Sequence, residues 1–311
     1  MNDTSTLLHK NKIDDRRLSH VMRDLWLLMK PELTLLSVFT SLCSAYLAIQ
    51  TPEETQIMIF PLLALGTLFV GGGSGALNQY FEREEDALMK RTEKRPVPDQ
   101  RISAIEALIF GTTIALAGTI LLFAINWLTA LLSLLTLATY VFLYTPLKKI
   151  STLATIIGAI PGALPTLIGW AAIRNSLSAE SFSLFAILFY WQMPHFYSIG
   201  WLYRNDYIKA GYRLLTSMDS TGRKVSTHVV INQIILVVIG LSPAFVGLVR
   251  QEYIPIAFMV SLGFLIFGLR FRRSIETELS GSKARALFFS SLFYLPIIFS
   301  AMIIFKSQYE R

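Results

Sequence analysis

The sequence contains little charge and almost no cysteine. Asp, Glu, Lys and Arg make up only 16% of its 311 residues, while 53% are hydrophobic. Such a composition excludes an ordinary soluble protein of this size and places the chain in a lipid bilayer. Cys43 is the only cysteine, which excludes an intrachain disulfide and a thiolate metal cluster. We expect Cys43 to be a small buried apolar residue.

The first 31 residues lack the short apolar core and the small-residue cleavage site of a signal peptide. They are polar and mixed in charge, so residues 1–31 are interpreted as a cytoplasmic arm. No linker divides residues 32–311, which are predicted to form a single membrane domain. The arm also lacks the Arg- and Ser-rich pattern of a transit peptide, which favours a bacterial inner membrane.

Nine apolar segments are each long enough to cross a bilayer, which takes about 20 residues. The predicted fold class is therefore all-α: a polytopic integral membrane protein with about nine transmembrane helices. A tight turn at residues 125–127 must separate the third and fourth helices. The predicted helices cover residues 33–50, 57–77, 103–124, 127–145, 151–173, 182–202, 228–249, 254–271 and 285–305.

Positive residues are unevenly distributed between the two ends of these helices. All but four of the 28 lysines and arginines fall in the N-terminal arm or in every second loop, and the exceptions are Arg174, Arg250, Lys306 and Arg311. Since positive residues collect on the cytoplasmic side, we predict the N-terminus inside and the C-terminus outside. This bias and the attraction to anionic lipid account for the net charge of +7 without a nucleic-acid partner.

A polar cluster follows the second predicted helix. Asn78, Glu82 and Asp86 recur every four residues, so on a helix they share one face. Asn78 lies about one turn inside the apolar segment, where an amide needs a partner. The alternative is a solvated helix end in which Asp86 pairs with Lys90.

Basic residues come directly after this acidic face. We expect the helix to continue through residues 90–95 and to end at Pro96 and Pro98. Carboxylates suit a divalent cation, and guanidinium groups suit phosphate oxygens, so the combination indicates a metal-bridged diphosphate. The candidate phosphate ligands here are Arg91, Lys94 and Arg95.

Polar residues also enter the sixth predicted helix. Gln192 and His195 are three residues apart on one helical face, and Pro194 disrupts the backbone bonding beside them. Intramembrane polar groups of this kind indicate a functional site, although a lone buried histidine is often only a hydrogen-bonded interior residue. Asp206 and Lys209 follow the helix and are either part of the site or simply an ion pair.

A further set of candidate site residues lies at the end of the fourth predicted helix. Tyr144, Lys148 and Lys149 lie at its predicted cytoplasmic end. The lysines are either topology anchors that bind lipid phosphate or further cations for the diphosphate.

Several strings of residues resemble the motifs of the UbiA superfamily of intramembrane prenyltransferases, over most of the chain. They are Asn-x-x-x-Glu-x-x-x-Asp at 78–86, Met-x-Arg-Thr-x-x-Arg-Pro-x-Pro at 89–98, Tyr-x-x-x-Lys-Lys at 144–149, Trp-Gln-x-Pro-His-Phe at 191–196 and Asp-Tyr-x-x-Ala-Gly at 206–211. The second and fourth strings are similar to those of the heme-prenylating branch rather than the quinone-pathway relatives.

The resemblance implies nine helices around a central cavity, with farnesyl diphosphate and heme B as substrates and heme O as product. It implies Mg²⁺, one or two ions, held by Glu82, Asp86 and Asp206. Glu82 stands where the superfamily usually has Asp, and Asp206 stands alone where several aspartates are usual. His195 would contact the heme, either as an iron ligand or as the base that positions a water.

The implied catalytic set is Asn78, Glu82, Asp86, His195 and Asp206, and the implied substrate-binding set is Arg91, Lys94, Arg95, Tyr144, Lys148, Lys149, Gln192, Tyr207 and Lys209. The active site would face the cytoplasm, and the next heme-modifying enzyme or a terminal oxidase is a candidate protein partner. Two alternatives stay open: a prenyltransferase that acts on an aromatic acid in quinone synthesis, and a membrane transporter.

Overall fold

The computed structural model describes residues 19–51 and 57–307. Nine long helices follow one another in this part of the chain. Their bounds are α1 Pro31–Ala48, α2 Ile59–Phe81, α3 Ala104–Phe123, α4 Trp127–Leu147, α5 Ala154–Arg174, α6 Ala179–Leu202, α7 Arg223–Ile239, α8 Tyr253–Ser274 and α9 Ser280–Ile304.

The predicted all-α membrane fold is confirmed. Among the described residues, eight helices are long and apolar enough to cross a membrane, and each corresponds to a predicted segment. The remaining long helix, α6, has 24 residues but falls outside this group. Its sequence includes Gln192 and His195, the polar pair that the sequence singles out.

The tight turn between α3 and α4 is also present. α3 ends at Phe123, and Asn126 begins α4 as its N-cap, accepting a hydrogen bond from the Thr129 amide at 2.9 Å. Asn126 also donates to the carbonyl of Ala171 on α5, at 2.8 Å. One asparagine therefore caps a helix and ties the turn to its neighbour, because its amide both accepts and donates.

The loops that carry most of the positive charge meet at one end of the bundle. Glu82 after α2 pairs with Lys148 after α4, whose carbonyl accepts from the Arg213 amide after α6. Arg223 at the start of α7 pairs with Glu276 after α8. Alternate loops therefore share one end of the bundle, as the charge distribution predicts.

The other end of the bundle is held by different contacts. Lys306, after α9, donates to the carbonyl of Tyr46 near the end of α1, at 2.7 Å. The amide of Arg250 donates to the carbonyl of Phe305, also at 2.7 Å. Lys306 and Arg250 are two of the four basic residues that the charge distribution sets apart, so the structure places both away from the charged loops.

Part of the predicted N-terminal arm lies outside the described residues, namely residues 1–18. Residues 19–28 are helical, and Leu28 is fully buried against Ala76 of α2 and Ala107 of α3. Asp24 in this helix pairs with Arg101 at 3.1 Å. The segment just before α1 is therefore anchored on the charged end of the bundle. Within the bundle Cys43 is buried, as expected.

Candidate active site

The predicted polar stripe is buried, but it bends where α2 ends. α2 stops at Phe81, Glu82 has φ −102° and ψ 12°, and a short helix, Arg83–Leu88, begins after it. Asn78, Glu82 and Asp86 are 0%, 3% and 1% exposed. A solvated helix end is therefore excluded, because all three polar side chains are withdrawn from solvent.

The expectation that the helix continues through residues 90–95 is wrong. Met89 adopts an extended conformation and ends the short helix. The Thr92 hydroxyl donates to the carbonyl of Asp86 at 2.8 Å. In a continuing helix, that carbonyl would instead accept from the amide of residue 90. The segment then folds into turns that bring Arg95 back to Asp86.

Each residue of the stripe meets a partner from another segment. Arg95 donates to a carboxylate oxygen of Asp86 at 2.7 Å, and Lys148 lies 2.5 Å from a carboxylate oxygen of Glu82. The amide nitrogen of Asn78 donates to the hydroxyl of Thr145 at 2.9 Å. Two buried carboxylates are therefore balanced by two cations, as burial of charge requires.

Lys30 is a member of this site that the sequence did not reveal. Its ammonium donates to the Asn78 side-chain oxygen and lies 6.0 Å from the centre of the Tyr140 ring. It has a left-handed backbone, φ 51°, directly before Pro31. Burial and the nearby Arg95 lower the pKa of Lys30 to about 7. A lysine beside the start of a membrane helix suggests only an anchor, so its role depends on contacts remote in sequence.

Lys148 is held firmly in its charged form. Burial alone would lower its pKa, but the Glu82 carboxylate and nearby tyrosines raise it well above the ordinary value. Its ammonium lies 4.7 Å from the Tyr144 ring centre and 5.5 Å from that of Tyr212, distances typical of cation–π contacts. Lys148 therefore lies beside the acidic stripe, and its contact with a diphosphate stays a prediction.

Tyrosines line the same end of the molecule. Arg91 donates to the hydroxyl of Tyr207 at 3.0 Å and lies 5.3 Å from the ring centre of Tyr203. Tyr212, missed by the sequence analysis, is 3% exposed, and its hydroxyl has no hydrogen-bond partner among the described residues. A buried, unpaired hydroxyl next to Lys148 is free to donate to an incoming anion.

The remaining predicted residues lie at the rim. Lys149 pairs with Glu85, Asp206 is half-buried, and Lys94 and Lys209 are exposed. Their proposed substrate contacts stay predictions.

The three predicted metal ligands do not form a ready-made group. Among the described residues, no three or more His, Cys, Asp or Glu side chains come together as a metal site. Glu82 and Asp86 are buried carboxylates close to each other in sequence and paired with cations, while Asp206 lies on another loop, in Arg204–Lys209. The first two supply the hard oxygen donors that Mg²⁺ prefers.

A central cavity begins at Lys30 and runs between the helices. Its volume is about 970 Å³, counting the part that is open to the surroundings. Tyr140 and Tyr144 lie near its charged end, and Gln192 and His195 lie on the α6 wall. The apolar and small residues between them include Leu33, Leu36, Gly71, Gly75, Leu188, Trp191 and Phe196.

Gln192 is fixed against the bent helix α5. Its amide nitrogen donates to the carbonyls of Ala159 at 3.2 Å and Leu188 at 3.1 Å. A Cβ atom at Gly162 would lie 1.9 Å from the Gln192 side-chain oxygen, so only glycine allows this approach. These contacts fix which way the Gln192 side-chain amide points, because both hydrogen bonds are donated by its nitrogen.

His195 is 8% exposed and lies three residues further along α6, as the sequence predicts. Its Nδ1 atom lies 2.7 Å from the hydroxyl of Ser291 on α9. The polar pair therefore marks one wall of the cavity, and its hydrogen bonds are to neutral groups.

The family of the chain follows from comparison with known proteins. Residues 37–293 match the model of the UbiA prenyltransferase family. The chain is 39% identical to the protoheme IX farnesyltransferase of Solibacter usitatus, over 91% of this chain and 98% of that protein. It is 38% identical to the same enzyme of Opitutus terrae, over 89% and 92%. The chain belongs to the UbiA prenyltransferase family.

Solved structures show the same fold at low sequence identity. A digeranylgeranylglyceryl phosphate synthase superposes with a TM-score of 0.74 at 15% identity, covering 91% of this chain and 97% of the other. A UbiA homolog from Archaeoglobus fulgidus, bound to DMAPP and Mg²⁺, has a TM-score of 0.67 at 16% identity, with 90% and 99% covered. The helical fold of these structures is therefore shared over about nine-tenths of the chain.

Proposed function

We propose that the chain transfers the farnesyl group of farnesyl diphosphate to a vinyl group of heme B and adds water to give heme O. One observation carries this proposal: a single cavity runs from Lys30, which contacts Asn78 of the acidic stripe, to a wall that presents an oriented glutamine and histidine. The names of the relatives agree with it: they are protoheme IX farnesyltransferases, and the chain matches them over most of their length.

The charged end would bind the diphosphate. Lys30, Lys148 and Arg95 contact the stripe of Asn78, Glu82 and Asp86 and provide cations next to the cavity. Glu82 and Asp86 would hold Mg²⁺, and their buried carboxylate oxygens fit this ion. Bound there, Mg²⁺ would supply positive charge to the diphosphate as it leaves. The Tyr212 hydroxyl would add a neutral donor.

The middle of the cavity would hold the farnesyl chain. Leu33, Leu36 and Leu188 provide apolar surface, and Tyr140 and Trp191 provide aromatic rings. When the carbon–oxygen bond to the diphosphate breaks, an allylic cation is left that stray water would destroy. Aromatic faces stabilise a cation, and apolar walls exclude water.

The α6 wall would face the heme. The vinyl carbon forms a bond with the first carbon of the farnesyl chain, which leaves a cation beside the porphyrin ring. Water captures that cation and loses a proton, so the transferred atoms balance. His195 would either bind the heme iron or accept this proton. The Gln192 side-chain oxygen would help to orient the heme, which accepts the farnesyl group.

The decisive experiment uses the full chain in lipid nanodiscs. We expect heme B, farnesyl diphosphate and Mg²⁺ to give a product with the mass of heme O, and the Asp86→Asn variant to give none above background. Replacing heme B with an aromatic acid is the control for the quinone-type alternative. Prenylation of the aromatic acid together with an unchanged heme would refute the proposal.

We further propose that the charged loops face the cytoplasm of a bacterial cell, with the chain in the inner membrane. The basis is the accumulation of lysine and arginine at that end. Single cysteines in place of the exposed Ser220 and Ser176, in a Cys43→Ala background, report the two ends. An impermeant maleimide applied to intact cells should label only position 176, and labelling of both positions would contradict the topology.

A further inference from the structure

His195 is held by two aromatic rings and by one hydrogen bond at the edge of its own ring. The ring stacks on Trp191, with centres 5.0 Å apart and planes 23° apart, and it packs on Phe288 at 5.2 Å and 36°. Its Nδ1 atom lies 2.7 Å from the Ser291 hydroxyl oxygen. A stacked ring with one hydrogen bond in its plane has little freedom to rotate or flip.

The hydrogen bonds of Ser291 decide which nitrogen of His195 carries the proton. A serine hydroxyl has one hydrogen to donate. In Ser291 this hydrogen is directed to the carbonyl of Phe288, at 2.5 Å. With that hydrogen used, a hydrogen bond between Ser291 and His195 needs the ring nitrogen as its donor, which would place the proton on Nδ1 and leave a lone pair on Nε2.

Ser291 is itself fixed by a second bond from α6. The indole nitrogen of Trp191 donates to the Ser291 carbonyl at 2.9 Å, so two rings of α6 are bonded to one residue of α9. Ser291 is completely buried, whereas His195 and Trp191 both line the cavity. Among the described residues no group forms a hydrogen bond with Nε2, the ring nitrogen on the opposite edge from Ser291.

We propose that Ser291 is a positioning residue that holds His195 as the Nδ1-protonated tautomer and so leaves the Nε2 lone pair available to a substrate in the cavity. This inference rests on the proposed function for the identity of that substrate. A lone pair on Nε2 is needed by both roles considered for His195, as a ligand of the heme iron and as a base for the captured water. The other tautomer would carry a proton there and could serve in neither role.

The tautomer can be measured without any substrate. The ¹⁵N chemical shifts of histidine distinguish protonated from unprotonated ring nitrogens, and a His195→Gln sample assigns the signal among the four histidines. We expect a protonated Nδ1 in the wild type and a mixture of tautomers in Ser291→Ala. An Nε2-protonated His195 in the wild type would overturn the inference, whatever the enzyme does with heme.

Activity tests whether the tautomer matters. Ser291→Ala should lower turnover with heme B about 10- to 100-fold, the usual effect of losing the group that orients a ligating histidine. Farnesyl diphosphate affinity should be unchanged, because the charged end is not touched. Ser291→Thr keeps a hydroxyl and should recover most of the activity. Ser290→Ala is the matched control, since Ser290 donates to Leu287 at 2.8 Å in the same way, whereas the hydrogen bond to His195 is made by Ser291.

The spectrum of bound heme separates the two roles. An iron ligand predicts an absorption band that shifts in Ser291→Ala, whereas a base predicts a changed rate with an unchanged band. Folded Ser291→Ala protein with wild-type turnover and spectrum would overturn the positioning role. A wild type that neither binds nor alters heme would instead refute the proposed function, and the ¹⁵N experiment would still test the tautomer.

Discussion

The two ends of the cavity are built from different kinds of interaction. At the charged end, two buried carboxylates and their cations come from loops after α2 and α4 and form ion pairs of 2.5 Å and 2.7 Å. At the α6 wall, neutral side chains on two long helices are held by stacking and by hydrogen bonds of 2.7 Å and 2.9 Å. The structure of the charged end depends on charge balance, and that of the α6 wall depends on the orientation of individual hydrogen-bond donors and acceptors.

This difference indicates how each end would respond to the proposed ligands. Ion pairs can exchange partners. If a diphosphate and Mg²⁺ bind there, as proposed, Lys148 and Arg95 would turn to the anion, and Glu82 and Asp86 would turn to the metal. A neutral histidine bonded to a serine has no such exchange and keeps its orientation. Substitutions should therefore affect charge balance at one end and chemical outcome at the other.

The largest effect is expected from Asp86→Asn, which removes a charged ligand and keeps the shape of the side chain. We predict a loss of turnover of about 10²- to 10³-fold, comparable with the removal of one strong electrostatic contact in an active site. The Mg²⁺ concentration for half-maximal rate should rise as well. Glu82→Asp is the milder comparison, since it keeps the charge. Near-normal rates for Asp86→Asn at limiting Mg²⁺ would exclude the metal role.

Lys148→Gln should come next, with an effect on both stability and activity. It leaves Glu82 buried and unpaired, which costs about 3–5 kcal/mol in comparable sites. The double variant Lys148→Gln with Glu82→Gln removes both charges, so it should regain thermal stability but not activity. Lys149→Gln is the matched change next to it and should be nearly neutral for stability, because the Lys149 side chain is 47% exposed. Equal destabilisation by both single variants would contradict this view of the charged end.

The sequence was sufficient to predict the helices but not the contacts between their loops. Runs of apolar residues predict most helix ends to within about five residues, although the seventh helix, predicted as 228–249, runs from Arg223 to Ile239. The i, i+4 spacing correctly grouped Asn78, Glu82 and Asp86. The same spacing wrongly suggested that the helix continues past Leu88. A local pattern does not show that the Thr92 hydroxyl donates to the Asp86 carbonyl. Nor does it show which cations from distant segments pair with the carboxylates.

Besides Tyr212, the sequence analysis missed Lys30 and Ser291, and it missed these two for the same physical reason. Lys30 is 48 residues from Asn78 in the sequence, and Ser291 is 96 residues from His195. A lysine at the edge of a span and a serine within an apolar helix are both ordinary in membrane proteins, so neither gives a local signal. Only packing of the helices brings each one to the polar group that it serves.

Lys30→Met is predicted to have a smaller effect with a characteristic pH dependence. The pKa of Lys30 is lowered to about 7, so the free protein loses this charge above that pH. Binding of the diphosphate favours the charged form, and wild-type affinity for farnesyl diphosphate should therefore fall as the pH rises from 7 to 9.

Lys30→Met should bind more weakly at pH 7 and show a flatter pH profile. The exposed Lys224, changed to Met, is the control for a general loss of positive charge at this end. If the wild type and Lys30→Met have parallel profiles, Lys30 does not titrate with the ligand.

The smallest effect is expected for Tyr212→Phe, which sharpens the distinction between a binding group and a structural group. The Tyr212 hydroxyl has no hydrogen-bond partner in the described part of the chain, so its removal should not lower thermal stability. If it donates to the diphosphate, its loss should weaken binding by the value of one neutral hydrogen bond, about 0.5–1.5 kcal/mol, or roughly 2- to 12-fold.

Tyr253→Phe is the opposite case, because the Tyr253 hydroxyl donates to the carbonyl of Gly240 at 2.8 Å in the interface of α7 and α8. It should lower the melting temperature and leave farnesyl diphosphate affinity unchanged. Measuring both quantities in both variants gives a direct comparison. Lower stability with unchanged affinity in Tyr212→Phe would show that this hydroxyl belongs to the fold rather than to the site.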